Sequence, residues 1–86
     1  MNIIYSRDFL KILSRLPESV QIKLDSLLEI LEKNYLNPLL HTKRLSGSLA
    51  NLYSFRITRD YRVIFMFEYS NVIKLLEVGH RKDIYR

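Results

Sequence analysis

The chain has 86 residues, 48% hydrophobic and 27% charged, with a net charge of +5 and no cysteine. That length suits a single domain, 1–86, burying about 60–65% of its unfolded surface, and the balance is globular, not disordered. The missing cysteines exclude a disulfide framework and a thiolate metal site, two histidines are a poor basis for structural zinc, and no apolar run reaches the roughly 18–20 residues needed to span a membrane.

"MNIIYS" at the start is short, β-branched and aromatic, and reads as a strand. Arg7 and Asp8 interrupt this apolar stretch, so no signal-peptide pattern forms and a soluble cytoplasmic protein is expected. Ser6 or Asp8 caps the first helix. "RDFLKILSRL" spaces Phe9, Leu10, Leu13 and Leu16 as one face of that helix, and Pro17 ends it. "PESVQIKLDSLLEILEKNYL" begins a second helix with an apolar stripe of Val20, Leu24, Leu27, Leu28 and Leu31. Pro17 suits its start and Glu18 the positive end of its dipole. Asn34, Asn37 and Pro38 end it, and the tight connection predicts a helical hairpin.

Residues 38–50 read as a loop. His41 within it reads as a surface residue. Three strand-like runs come next: "NLYSFRIT", "YRVIFMFEY" and "VIKLLEVG". Thr58, Arg59 and Asp60 separate the first two; Ser70 and Asn71 separate the others. The order β-α-α-β-β-β predicts an α+β fold, an antiparallel meander with an N-terminal helical hairpin packed on one face.

Side-chain alternation sets the register of the first strand pair. Tyr53, Phe55 and Ile57 share one face, and Tyr61, Val63, Phe65 and Phe67 share one face of the next strand. A three-residue turn at 58–60 puts all of them on the helix-packed side; a slip of one residue would bury charge. The same register sets Arg56 directly opposite Arg62. Like charges so placed repel, which is relieved by a phosphate between two guanidinium forks or by Glu68 or Asp60 neutralising one of them. A phosphate seat is therefore expected on the open face, where Ile64 and Met66 need a cover such as the C-terminal segment or a bound peptide. Tyr53, Phe55 and Phe65 are expected in the core.

Residues 1–40 hold five Lys/Arg and five Asp/Glu; residues 41–86 hold nine and four, and so carry the whole excess. Charge gathered on one part of a domain is the footprint of a polyanion binder, and equally fits a solvated surface or a patch for an acidic protein partner. Lys43, Arg44, Arg59, Lys82 and Arg86 read as contacts to an RNA backbone. In the ending "GHRKDIYR", Gly79 is expected to release the chain from the sheet, and His80, Arg81 and Tyr85 come after it. With Arg56 and Arg62 they form a set suited to metal-independent RNA cleavage: cations for a charged phosphorane, an acid for the leaving oxygen and an aromatic ring for a base. No cofactor is expected.

The stretch "KRLSG…LYSFRITRDYRVIF…VIKLLEVGHRKDIYR" resembles the RelE/ParE superfamily of type II toxins, over nearly the whole chain and most specifically in "DYRVIF" and "GHRKDIY". The resemblance implies a toxin silenced by a cognate antitoxin and, on the RelE branch, a ribosome-dependent endoribonuclease that cuts messenger RNA in the A site by 2′-hydroxyl attack. It implies that Arg62 stabilises the scissile phosphate, that Arg56 stands near the 2′-hydroxyl, and that Tyr85 stacks on the nucleotide. Arg81, or His80 as in the YoeB branch, would serve the leaving group. Ser54 and Arg56 stand where RelE carries two lysines, and an arginine is a poor proton acceptor. The alternatives are a ParE-like inhibitor of DNA gyrase without nuclease activity, and an inactive RNA-binding relative.

Overall fold

A computed structural model describes residues 1–85. Strand β1 (Asn2–Tyr5) leads into helix α1 (Arg7–Leu13), and Pro17 separates this from helix α2 (Glu18–Lys33). Strands β2 (Lys43–Arg44), β3 (Tyr53–Arg56), β4 (Tyr61–Tyr69) and β5 (Val72–His80) complete the chain order. They form one sheet with β1, in the order β1-β5-β4-β3-β2. This is the expected α+β architecture with the helices on one face. Two features go beyond the expected meander. The first strand joins the last in parallel, and the short β2 adds a fifth strand inside the predicted loop.

Each helix has a local cause. Ser6 sits extended at the start of α1, and its Oγ accepts from the Phe9 amide at 3.0 Å. The same hydroxyl donates to the Leu76 carbonyl at 3.0 Å, tying the helix start to β5. The first helix ends at Leu13, a turn before the expected Leu16, because the residue before a proline avoids helical backbone. The intervening amides of Arg15 and Leu16 bond instead to Ile12 and Leu13 carbonyls. Helix α2 buries Val20, Leu24, Leu27 and Leu31, four of the five predicted stripe residues, with Leu28 packed at the margin. Residues 38–50 are more ordered than a plain loop. Two short 3-10 turns, Pro38–Leu40 and Gly47–Leu49, flank β2, and Leu40 is fully buried.

The core lies between the helices and the sheet. Phe9, Phe55, Phe65, Leu24, Leu31, Ile73 and Leu75 are all sealed from solvent, and Tyr53, Tyr61 and Phe67 pack against them. The predicted β3–β4 register is the observed one: Phe55 faces Val63 and Arg56 faces Arg62. Thr58 shapes the turn between them, its Oγ1 accepting from the Asp60 and Tyr61 amides at 3.3 Å each.

Strand β5 departs from simple alternation. Phe65 pairs with Leu75 but Ile64 pairs with Glu77, so Leu76 is an extra residue, a bulge. The bulge reverses which face later residues take. It sends Glu77 outward beside Ile64 and lets Val78 pair inward with Val63. Gly79 does not release the chain, contrary to expectation: it remains inside β5, opposite Arg62, and the strand continues to His80.

Candidate functional site

The sheet face away from the helices carries the site. Opposed residues of a ladder project to the same side, so Arg56, Arg62 and Gly79 form one row across three strands. Residues 81–85 then turn back over this face. The Arg81 amide donates to the Asp60 carbonyl at 2.7 Å, which docks the turn after β5 on the β3–β4 hairpin. Ile64 is buried on this outer face, in a groove it shares with Leu49, Leu52, Leu76 and Ile84. The C-terminal segment thus supplies part of the cover expected from the pattern.

Arg62 is the centre of the cluster. It is only 8% exposed, unusual for a guanidinium. Its Nη1 donates to the carbonyls of Thr58 at 2.8 Å and Arg59 at 2.6 Å, with a longer approach to Tyr61 at 3.4 Å. The turn therefore commits one nitrogen of the fork. The Tyr85 side chain stands close enough to act on it electrostatically. Burial first, then the neighbouring charges of Arg56 and Arg81, push the Arg62 guanidinium below its ordinary value, while Tyr85 acts in the other direction. It stays a cation at neutral pH, as a guanidinium does in proteins.

The structure thus brings Arg56, Arg62, Arg81 and Tyr85 together. Arg56 and Arg81 are exposed, and Arg81 Nε stands 3.8 Å from the Asp60 carboxylate, a loose surface pair. Two exposed guanidinium groups beside one buried fork make a field that attracts a phosphodiester, and the half-open ring of Tyr85 offers a stacking surface beside it.

His80 is not brought to the cluster. It pairs with Tyr61, and their rings meet edge to face with centroids 5.5 Å apart, on the helix-packed side of the sheet. Its Nδ1 accepts from the Lys82 amide at 3.1 Å. The basic residues expected to contact RNA are dispersed. Arg59 lies exposed in the turn and Lys82 after β5. Lys43 and Arg44 lie on β2, where they share a shallow depression with Tyr85. Arg86 lies outside the described residues. Ser54 carries a contact to which no sequence pattern points directly: it is buried, and its Oγ accepts from the Tyr85 hydroxyl at 3.1 Å. Its place on the outward side of β3, in step with Arg56, was the available signal.

A family model described as the ParE toxin of a type II toxin–antitoxin system, parDE, matches residues 3–85. No curated protein sequence matches the chain. Among solved structures, the RelE toxin of the RelB–RelE complex from Methanococcus jannaschii is 25% identical, with a TM-score of 0.77 over 95% of this chain and 94% of that one. The archaeal RelE–RelB complex from Pyrococcus horikoshii OT3 gives 25% identity and a TM-score of 0.75, over 95% and 96% of the two chains. A YoeB/ParE toxin from Agrobacterium tumefaciens has the same fold, with a TM-score of 0.80 at 16% identity, over 94% and 99%. Among the described residues, no helix is long and apolar enough to cross a membrane.

Proposed function

The chain belongs to the ParE toxin family of type II toxin–antitoxin systems, within the RelE/ParE superfamily, and on that premise we propose that it is an endoribonuclease of the RelE kind, cutting messenger RNA in the ribosomal A site by 2′-hydroxyl attack. The observation that carries this reading is the gathering of Arg56, Arg81 and Tyr85 around the buried Arg62 fork. A gyrase inhibitor has no need of three cations beside a stacking ring; a phosphodiester in a charged transition state does.

In this proposal Arg62 holds and stabilises the scissile phosphate. Arg56, exposed across the strand, aligns the 2′-hydroxyl electrostatically, since it does not accept a proton. Arg81 serves the leaving oxygen, and Tyr85 stacks on the base. His80, on the other face, takes no part. Lys43, Arg44, Arg59 and Lys82 supply backbone contacts to ribosomal RNA. The relatives from M. jannaschii and P. horikoshii were solved with antitoxins, and a cognate antitoxin is the proposed partner here, with the cytoplasm as the site of action.

The test uses programmed ribosomes. Cleavage of the A-site codon by the wild-type toxin, abolished in Arg62→Ala, supports the reading. The family matched is named for a ParE toxin, and the second reading is therefore a ParE-like inhibition of DNA gyrase. Loss of supercoiling activity with messenger left intact would establish that reading in place of the first.

A further inference from the structure

Ser54 combines three features that a residue serving only the strand would not need. It is buried to 3% exposure on the outer face of the sheet, where a valine or threonine would fit the pattern of a strand. Its hydroxyl accepts from a tyrosine 31 positions away, the last described residue of the chain. And that tyrosine stands beside Arg62, close enough to favour its charged form. A buried hydroxyl without a partner is costly, so each of the two oxygens gives the other a reason to stay.

We propose that Ser54 is a positioning residue for Tyr85: its hydroxyl pins the phenol oxygen to β3, so that the ring stands at the rim of the arginine cluster with one side open to a nucleotide base. This rests on the reading of Tyr85 as a base platform. The ligand class is therefore a single-stranded ribonucleotide, its base against the ring and its phosphate toward Arg62. The geometry suits the task. Tyr85 is 40% exposed, enough to leave a ring surface free, and the hydroxyl end is the end that is held.

Ser54→Ala, Tyr85→Phe and the double variant test this as a cycle. The binding probe is a fluorescent RNA trinucleotide with 2′-deoxyribose at the central position, which binds but is not cut. Each single variant is expected to weaken its binding about three- to tenfold, the range for one hydrogen bond. The double variant should be no weaker than either single one. On ribosomes the loss should appear in KM, with kcat nearly kept, because the pin positions the base and leaves the phosphate contacts in place. Ser54→Thr, which keeps the hydroxyl, should restore binding. Should the alanine variant prove unstable, Ser54→Cys, similar in size and a weak acceptor, gives the same reading. Fluorotyrosine labelling adds a readout independent of RNA: the fluorine resonance of position 85, assigned by its loss in Tyr85→Phe, should shift and narrow in Ser54→Ala.

An unchanged resonance and unchanged affinity in Ser54→Ala would overturn the proposal, as would simple additivity in the cycle. Wild-type toxin that binds the trinucleotide but leaves messenger intact would overturn the nuclease reading alone, and the cycle would still decide Ser54. Wild-type toxin that neither binds nor cuts would overturn both as statements about RNA, even if the resonance moved.

Discussion

Arg56 and Arg62 stand directly opposite each other across the β3–β4 ladder, on the face away from the helices. Nothing in the sheet itself favours that pair. The charge of Arg56 is among the causes that lower Arg62 from its ordinary value, which is the signature of repulsion in the folded state.

Arg56→Gln should therefore stabilise the fold and weaken its function together. Removing the opposed charge is worth about 0.2–1 kcal/mol, and the gain should shrink as salt rises. Thermal unfolding at low and at roughly 0.15 M salt checks the first part; trinucleotide binding checks the second. The sign comes from the titration. Arg62 is held down partly by Arg56, so the substitution raises it toward the ordinary value and lowers the cost of its charge in the folded state. A less stable variant would contradict this account.

Arg62→Ala should cost two things. Cleavage should fall by roughly 10²–10³, as for loss of one stabilising group at a charged transition state. Stability should fall as well, because the Thr58 and Arg59 carbonyls lose their donor. Arg62→Lys should recover little of either, since an ammonium cannot reach the turn and present a free fork at once. Cleavage on ribosomes and urea midpoints together measure both.

His80→Gln should leave cleavage close to wild type. The ring lies against Tyr61 on the helix-packed side, and the cluster is on the other. A loss of kcat with no loss of stability would move the histidine into the chemistry and remove Arg81 from its assigned role.

Ser6→Ala should destabilise the fold by about 1 kcal/mol, the usual cost of a lost helix cap. The serine also holds the carbonyl of the bulged Leu76. Amide hydrogen exchange should therefore quicken at residues 77–80 as well as in α1. Protection lost only in the helix would show that the bulge does not depend on this contact.

Much of this was legible in the residues. Alternating aromatics and a three-residue turn were enough to set β3 against β4, because a slip of one position would have buried Arg56. Pro17 and the leucine stripe were enough for the two helices. What escaped has physical reasons. Two residues, Lys43 and Arg44, are too few to show a period, so β2 reads as loop. The parallel pairing of β1 with β5 is decided by packing, for which a four-residue strand holds no local mark.

The position of His80 is instructive. Counting by twos from Ile73 places Gly79 inward and His80 outward, beside the arginines. The bulge at Leu76 shifts the count by one and exchanges them. An extra residue in a strand leaves no trace in composition, yet here it decides which side chain can reach a ligand. Ser54 was hidden differently: its partner is 31 positions away, and no spacing rule links the two.

The pairing of β1 with β5 has a consequence for timing. A chain emerging during translation presents β1 before its neighbour in the sheet, which is made only after both helices and the three other strands. The same late segment delivers Arg81 and Tyr85. A nascent polypeptide that has not grown past Tyr85 therefore lacks two of the four clustered side chains, and one halted before Val72 lacks the closing strand too. Truncation before Val72 should leave a chain without a cooperative melting transition, because the sheet closes only once β5 is made.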